Sequence, residues 1–346
     1  MVHMNSRSGK LRFPSLASTS TSIVMRAVWT VTLAIAAVAV AACGDGEQAS
    51  NARADMRIVF ISHGQSSDPF WSVVVNGAND AAADLGVQVE YQAPSSFDLA
   101  RMSQLIDAAR DSRPSGLVVS IPDADALADS LRATVAAGLP VLSVNSGDDV
   151  WQSLGLLAHI GQAEYEAAFA GGHRLAEAGA TKVLCVNHEV GNASLDLRCR
   201  GLDVALREAG GTAIVIDVNP ADQEGAQQRV IAALDADPDI DGILTLGPSG
   251  ALPTAAALRS SGRLGMLLFA TFDLEPDILR AVRDGDILFA IDQLPYMQGY
   301  LAVTLMVKYL ETDAVPGGGQ LIRTGPAFVT RETAENAIRL AEQGRR

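Results

Sequence analysis

Aromatic residues are scarce in this chain, at 5% of 346 residues. There are three cysteines and five histidines. No G-x-S-x-G, H-E-x-x-H or P-loop occurs, and no G-x-G-x-x-G follows the first apolar run, which leaves hydrolytic triads, zinc proteolysis and nucleotide cradling without support. The histidines show no metal-ligand spacing, so neither a metal nor a cofactor is expected. Positive charge is also short. The net charge of −14 argues against nucleic acid as a partner. The longest apolar run, Ala27–Ala42, has 16 residues, short of the roughly 20 needed to span a bilayer.

That run marks the N-terminus. Residues 1–42 hold Arg7, Lys10, Arg12 and Arg26 and no acid. A basic stretch, an apolar stretch and then small residues read as an export signal. Met25 is read as the start, with 1–24 untranslated. "VAAC", Val40–Cys43, resembles the bacterial lipobox, which implies lipidation of Cys43 and a membrane anchor without a spanning helix. The alternatives are a single-pass anchor or ordinary cleavage. Residues 44–55 read as a polar tether. Export permits a disulfide between Cys185 and Cys199, with two buried free thiols as the alternative.

From Met56 onward, short β-branched apolar runs alternate with stretches of helical period. Nine strands are expected, at 57–62, 87–92, 116–122, 140–145, 182–188, 212–218, 242–247, 266–272 and 287–292. Helical stretches between them include 98–112, 163–179 and 224–238. Strands that are apolar throughout, each followed by a helix, imply parallel sheets covered on both faces. The units fall into two sets around residue 160, giving two similar doubly wound α/β lobes. An eight-fold barrel fits the strand count almost as well.

Polar and aromatic residues recur at the carboxyl ends of these strands, where open α/β sheets bind ligands. "SSDPFW", Ser66–Trp71, follows the first strand and sets two of the rare aromatics side by side. "SVNSG", "NHEVGNASLDLR", "TFD" and "AIDQLP" end later strands. The inventory is Asp, Asn, Gln and Arg with flat aromatics, without a nucleophile–base pair. It suits a neutral polyhydroxylated ligand: amides and carboxylates pair with hydroxyls, and aromatic faces cover apolar ring faces. His63 and His188 at strand ends are either site residues or structural histidines.

On these residues, 56–330 resembles the bacterial periplasmic sugar-binding proteins of the ribose/galactose type, receptors of ABC importers. It also resembles the ligand domain of the lactose repressor. The resemblance implies a type I periplasmic binding protein fold: two parallel-sheet lobes, a three-stranded hinge near 159–162, 292–295 and 323–327, and a ligand cleft between. It implies a first lobe of 56–160 plus 294–324 and a second of 161–293 plus 325–346. Carried over position by position, it implies ligand contacts from Asp68, Phe70, Trp71, Asn145, Ser146, Asn192, Asp273 and Gln293, and from Asp196 or Arg198. The family often has an Asp-Arg pair where Asn145 and Ser146 stand, and Gly247 and Pro248 replace its Asn-Asp. Each assignment has a plainer alternative. Asp68 caps a helix beginning at Pro69, one of Phe70 and Trp71 is core, Asn145 is a turn residue, Asp196 and Arg198 are an exposed pair, Asp273 is a cap and Gln293 only a hinge. The implied function is capture of a monosaccharide or polyol by a monomer that delivers it to a membrane permease. A chemoreceptor or sensor kinase is the alternative partner, and a lipid-anchored hydrolase a less favoured reading. A repressor would need a DNA-binding helix pair where the export run sits.

Overall fold

The computed structural model describes residues 53–64 and 68–346. The export signal, Cys43 and residues 44–52 of the tether lie outside the described residues. No helix among the described residues is long and apolar enough to cross a membrane.

The first half of the chain alternates β1 (Arg57–Ile61), α1 (Pro69–Leu85), β2 (Gln88–Gln92), α2 (Leu99–Ser112), β3 (Gly116–Val119), α3 (Ala124–Ala136), β4 (Val141–Val144) and β5 (His159–Gly161). A second series follows with α4 (Glu164–Glu177), β6 (Lys182–Asn187), α5 (Ala193–Glu208), β7 (Thr212–Asp217), α6 (Gln223–Ala236), β8 (Gly242–Thr245), α7 (Pro248–Ser260), β9 (Leu268–Phe272), α8 (Pro276–Asp284) and β10 (Phe289–Asp292). The chain ends with α9 (Pro295–Thr312), β11 (Ile322–Arg323), β12 (Ala327–Val329) and α10 (Ala334–Ala341).

These strands form two separate six-stranded sheets, ordered β11-β5-β4-β3-β1-β2 and β12-β10-β9-β8-β6-β7. Every pairing is parallel except β10 with β12. Two open sheets exclude the barrel. The nine expected strands are present, and β5, β11 and β12 are additional short ones. The chain passes between sheets after β5, after β10 and between β11 and β12.

Each sheet is covered on both faces, because successive strand residues point to opposite sides. Ile58 and Phe60 pack toward α1 and α9, whereas Val59 and Ile61 pack toward α2 and α3. In the second sheet, Val183 and Cys185 meet α4 and α5, and Leu184 and Val186 meet the opposite layer. Helices α1 and α9 cross at Gly77 and Gly299. A Cβ at either would stand 2.0 Å from a carbonyl oxygen of the other helix, so contact this close requires glycine on both.

Cys185 of β6 and Cys199 of α5 are joined as a disulfide, with Cα atoms 5.9 Å apart. The bridge closes a loop with a sequence separation of 14. Chain-entropy arguments value such a loop at about 3 kcal/mol. The double substitution Cys185→Ala/Cys199→Ala is therefore expected to lower unfolding free energy by about 2–4 kcal/mol. Urea denaturation of the two proteins side by side checks this, and an unchanged midpoint would remove the bridge from the stability account.

Candidate ligand-binding site

The carboxyl ends of the two sheets face one another across a cleft. Its inner compartment is lined from the first lobe by His63, Asp68, Phe70, Trp71, Asn145 and Ser146. From the second lobe come Asn192, Arg198 and Asp273, and Gln293 enters from the crossing after β10.

The helix start at α1 shows why "DPFW" reads as it does. Asp68 is the N-cap, and its carboxylate accepts the Phe70 N–H at 2.9 Å. Pro69 follows at a position where no N–H is needed. Asp68 caps and lines the cleft at once, and burial raises its pKa. Phe70 and Trp71 meet edge to face with centroids 5.2 Å apart, and both belong to the core as well as to the cleft wall. The indole rests on the backbone of Gly64, where a Cβ would come within 2.0 Å of Trp71 Nε1.

A chain of amides and acids connects the lobes. Asn145 Nδ2 donates to Gln293 Oε1 at 2.9 Å, and Gln293 Nε2 donates to Asp273 Oδ1 at 2.7 Å. Ser146 Oγ donates to Asn145 Oδ1 at 3.0 Å and orients it. Gln298 Nε2 holds Gln293 from behind at 3.0 Å. Asn145 and Asp273 stand just past β4 and β9 with φ of 66° and 64°. Left-handed backbone at non-glycine residues is uncommon and concentrates at functional sites. It turns both side chains into the cleft.

Arg198 is almost fully buried and fixed on three sides. Nε and Nη2 donate to Glu164 at 2.6 and 3.0 Å, and Nη1 donates to the Leu246 carbonyl at 2.8 Å. The guanidinium lies 4.3 Å over the Phe272 ring, and Nη1 is 3.8 Å from Asp273 Oδ2. Burial opposes its charge, but Glu164, Asp273 and Glu189 together leave the pKa above its ordinary value. Asp273 goes the other way. Burial pushes it from the ordinary 3.8 to about 7, against the pull of Arg198 and the Gln293 hydrogen bond.

Further contacts span the lobes. Ala193 N–H donates to the Pro122 carbonyl at 2.9 Å, and Glu164 N–H to Asp148 Oδ2 at 3.3 Å. Asn192 Nδ2 lies 3.5 Å from His63 Nε2 and donates to Glu189 Oε2 at 2.6 Å. The hinge end of the cleft is thus drawn tight, and the inner compartment measures about 50 Å³. That is room for a water or two, so a sugar-sized ligand enters only when the lobes part.

Asp196 requires a correction. It is exposed on α5 and contacts Asn187 at 3.5 Å, lining neither compartment. Two residues along a helix turn about 200°, so Arg198 faces the cleft where Asp196 cannot. Several lining or supporting residues carry no assignment from sequence, Glu164, Glu189 and His63 among them. Glu164 carries no motif signal, since a buried acid in the first turn of a helix looks like any exposed one. Glu189 was one acid in a polar loop. The sequence allows His63 either a structural or a site role. Its Nδ1 meets Ser120 Oγ at 2.8 Å, and burial together with Arg198 lowers its pKa to about 3. Ser120 is fully buried and lines neither compartment, so this serine–histidine pair positions a ring and offers no exposed nucleophile.

A profile of the periplasmic binding protein domain matches residues 58–314. The chain belongs to the periplasmic binding protein family. The solved carbohydrate transporter from Acidothermus cellulolyticus 11B, in complex with myo-inositol, is similar to this periplasmic binding protein. It is 34% identical with a TM-score of 0.79, over 84% of this chain and 99% of that one. The xylose/arabinose-binding protein of Sulfolobus acidocaldarius is 24% identical over 293 residues, covering 81% of this chain and 72% of its own. The D-allose-binding periplasmic protein of Escherichia coli is 24% identical over 268 residues, covering 72% and 85%.

The raised pKa of Asp273 gives this binding protein a pH signature. The folded state holds that proton more tightly than the unfolded state. Its stabilising contribution is therefore complete below about pH 4 and is lost as pH rises through about 7. Asp148 acts in the same sense, with a pKa of about 7, whereas buried His63 and His159, lowered to about 3, act oppositely. The wild-type minus Asp273→Asn difference isolates the group. Denaturant titrations of the ligand-free protein should show that difference falling between about pH 4 and 7. A flat difference would mean that Asp273 is not desolvated.

Proposed function

We propose that this protein is the substrate-binding component of an ABC importer, capturing a neutral monosaccharide or cyclic polyol by closing its lobes and releasing it unchanged. The inter-lobe chain Asn145–Gln293–Asp273, beside Trp71 and Phe70, carries the reading. It offers both donors and acceptors at one point, as paired hydroxyls require. Arg198 adds the N–H groups that Glu164 and Leu246 leave unused. Contacts available only between closed lobes supply the differential affinity that drives closure. The sugar-binding relatives and the myo-inositol complex of the similar Acidothermus protein support the ligand class. On this reading the protein works as a monomer outside the cytoplasmic membrane, held there through Cys43, and hands its ligand to a membrane permease. It needs no cofactor or metal.

The test is a thermal-shift screen with myo-inositol, other inositols, pentoses, hexoses and linear polyols. A ligand at about 100 times its Kd adds about 2.7 kcal/mol of stability. One clear midpoint rise, lost in Asp273→Asn, supports the reading. A folded protein that shifts with none of them rules out a simple sugar or polyol.

A further inference from the structure

The cleft continues beyond the inner compartment. An outer compartment of about 780 Å³ opens toward solvent, with Phe97, Val190, Asp217 and Asn219 among its walls. The two compartments share His63, Asp68, His188, Glu189 and Ser249, so one groove runs from hinge to mouth. We propose that the substrate is a neutral two-ring glycoside, with one ring in the inner compartment and the second in the outer one against Phe97. This rests on the sugar-receptor reading and extends its ligand from one ring to two.

Dimensions come first. Asn145 and Asp273 sit past β4 and β9, near the hinge. Phe97 and the Asp217–Ala221 turn follow β2 and β7, the outermost strands. Three strand spacings separate each pair, about 14 Å at about 4.8 Å per spacing. That length takes two rings in sequence. The outer volume alone falls within the roughly 300–1,000 Å³ of small-molecule sites. It persists although Asn145, Gln293 and Asp273 are already bonded together.

The wall chemistry selects the second ring. Phe97 presents a half-buried aromatic surface braced edge-on by His63, with centroids 6.1 Å apart. Val190 across the groove is 64% exposed, and a Cβ on neighbouring Gly191 would stand 4.0 Å from the Phe97 ring. The two lobes therefore touch at this point, and a second ring would lie beside the contact, on the open part of the Phe97 face. Asp68, Glu189 and Asp217 supply acceptors, and among the described residues no lysine or arginine lines the outer compartment. A phosphate or carboxylate on the second ring would be repelled. At the junction, His188 keeps a buried Nδ1 that has no hydrogen-bond partner among the described residues and can meet a ligand hydroxyl.

Calorimetric titration with matched pairs tests this. The pairs are myo-inositol against galactinol, and D-glucose against maltose and cellobiose. At least one glycoside should bind about tenfold or more tightly than its parent ring. Phe97→Ala should erase that advantage while leaving parent-ring affinity and the unfolding midpoint unchanged. The proposal is overturned if parent rings bind as tightly as every glycoside, if Phe97→Ala leaves the advantage intact, or if myo-inositol phosphate outcompetes the neutral ligands. Silence from parents and glycosides alike would overturn the sugar-receptor reading as well.

Discussion

Arg198→Met is expected to destabilise the protein by about 3–5 kcal/mol, because it strands the Glu164 carboxylate in the interior. Glu164 is fully buried, and the Gln162 amide that donates to it at 2.8 Å is neutral and cannot replace a guanidinium. The double variant Arg198→Met/Glu164→Gln removes the stranded charge and should recover a large part of the loss. Its ligand affinity should stay low, since the Nη1 edge facing Asp273 is gone in both variants. Urea melts and titrations on all three proteins separate the two roles. Equal stability of the single and double variants would show that Glu164 is not held as a buried ion.

Trp71→Ala should cost about 3–5 kcal/mol, the usual penalty for truncating a large buried aromatic. Trp71 is 4% exposed, and its neighbours Gly64, Phe70 and His63 are all within the same packed group. The same substitution should abolish measurable ligand binding. Trp71→Phe tests whether these effects are one or two. A smaller ring refills most of the core and should return most of the stability, while leaving affinity reduced because the cleft wall recedes. If Trp71→Phe binds as wild type does, the indole serves the core alone.

The two lobes were legible because a strand buried on both faces leaves an unbroken apolar run, as "RIVFI" and "GLVV" do. β5, β11 and β12 left no such mark. They have two or three residues each, and β11 and β12 pair with strands far along the chain. Separating two sheets from a barrel needs strand order, which periodicity does not carry. In the site, residues at strand ends and helix caps could be read, because Asp68, Asn145 and Asp273 occupy positions with distinctive local chemistry. Glu164 could not, since its burial is decided by Arg198 from another helix. Asp196 and Arg198 illustrate the limit from the other side. The resemblance leaves the contact to Asp196 or Arg198, and the helical turn brings Arg198 to the cleft.

The left-handed backbone at Asn145 and Asp273 bears on how such a receptor can change its preference. At these two strand ends asparagine, aspartate and glycine sit comfortably, while branched or bulky side chains add strain. The vocabulary there is confined to small acceptors and amides. Positions in helix starts, such as Trp71, Ser194 and Ser249, carry no such restriction. Retuning toward a new ligand is therefore expected to proceed through the helix starts, with the strand ends held as the fixed polar grammar of the cleft.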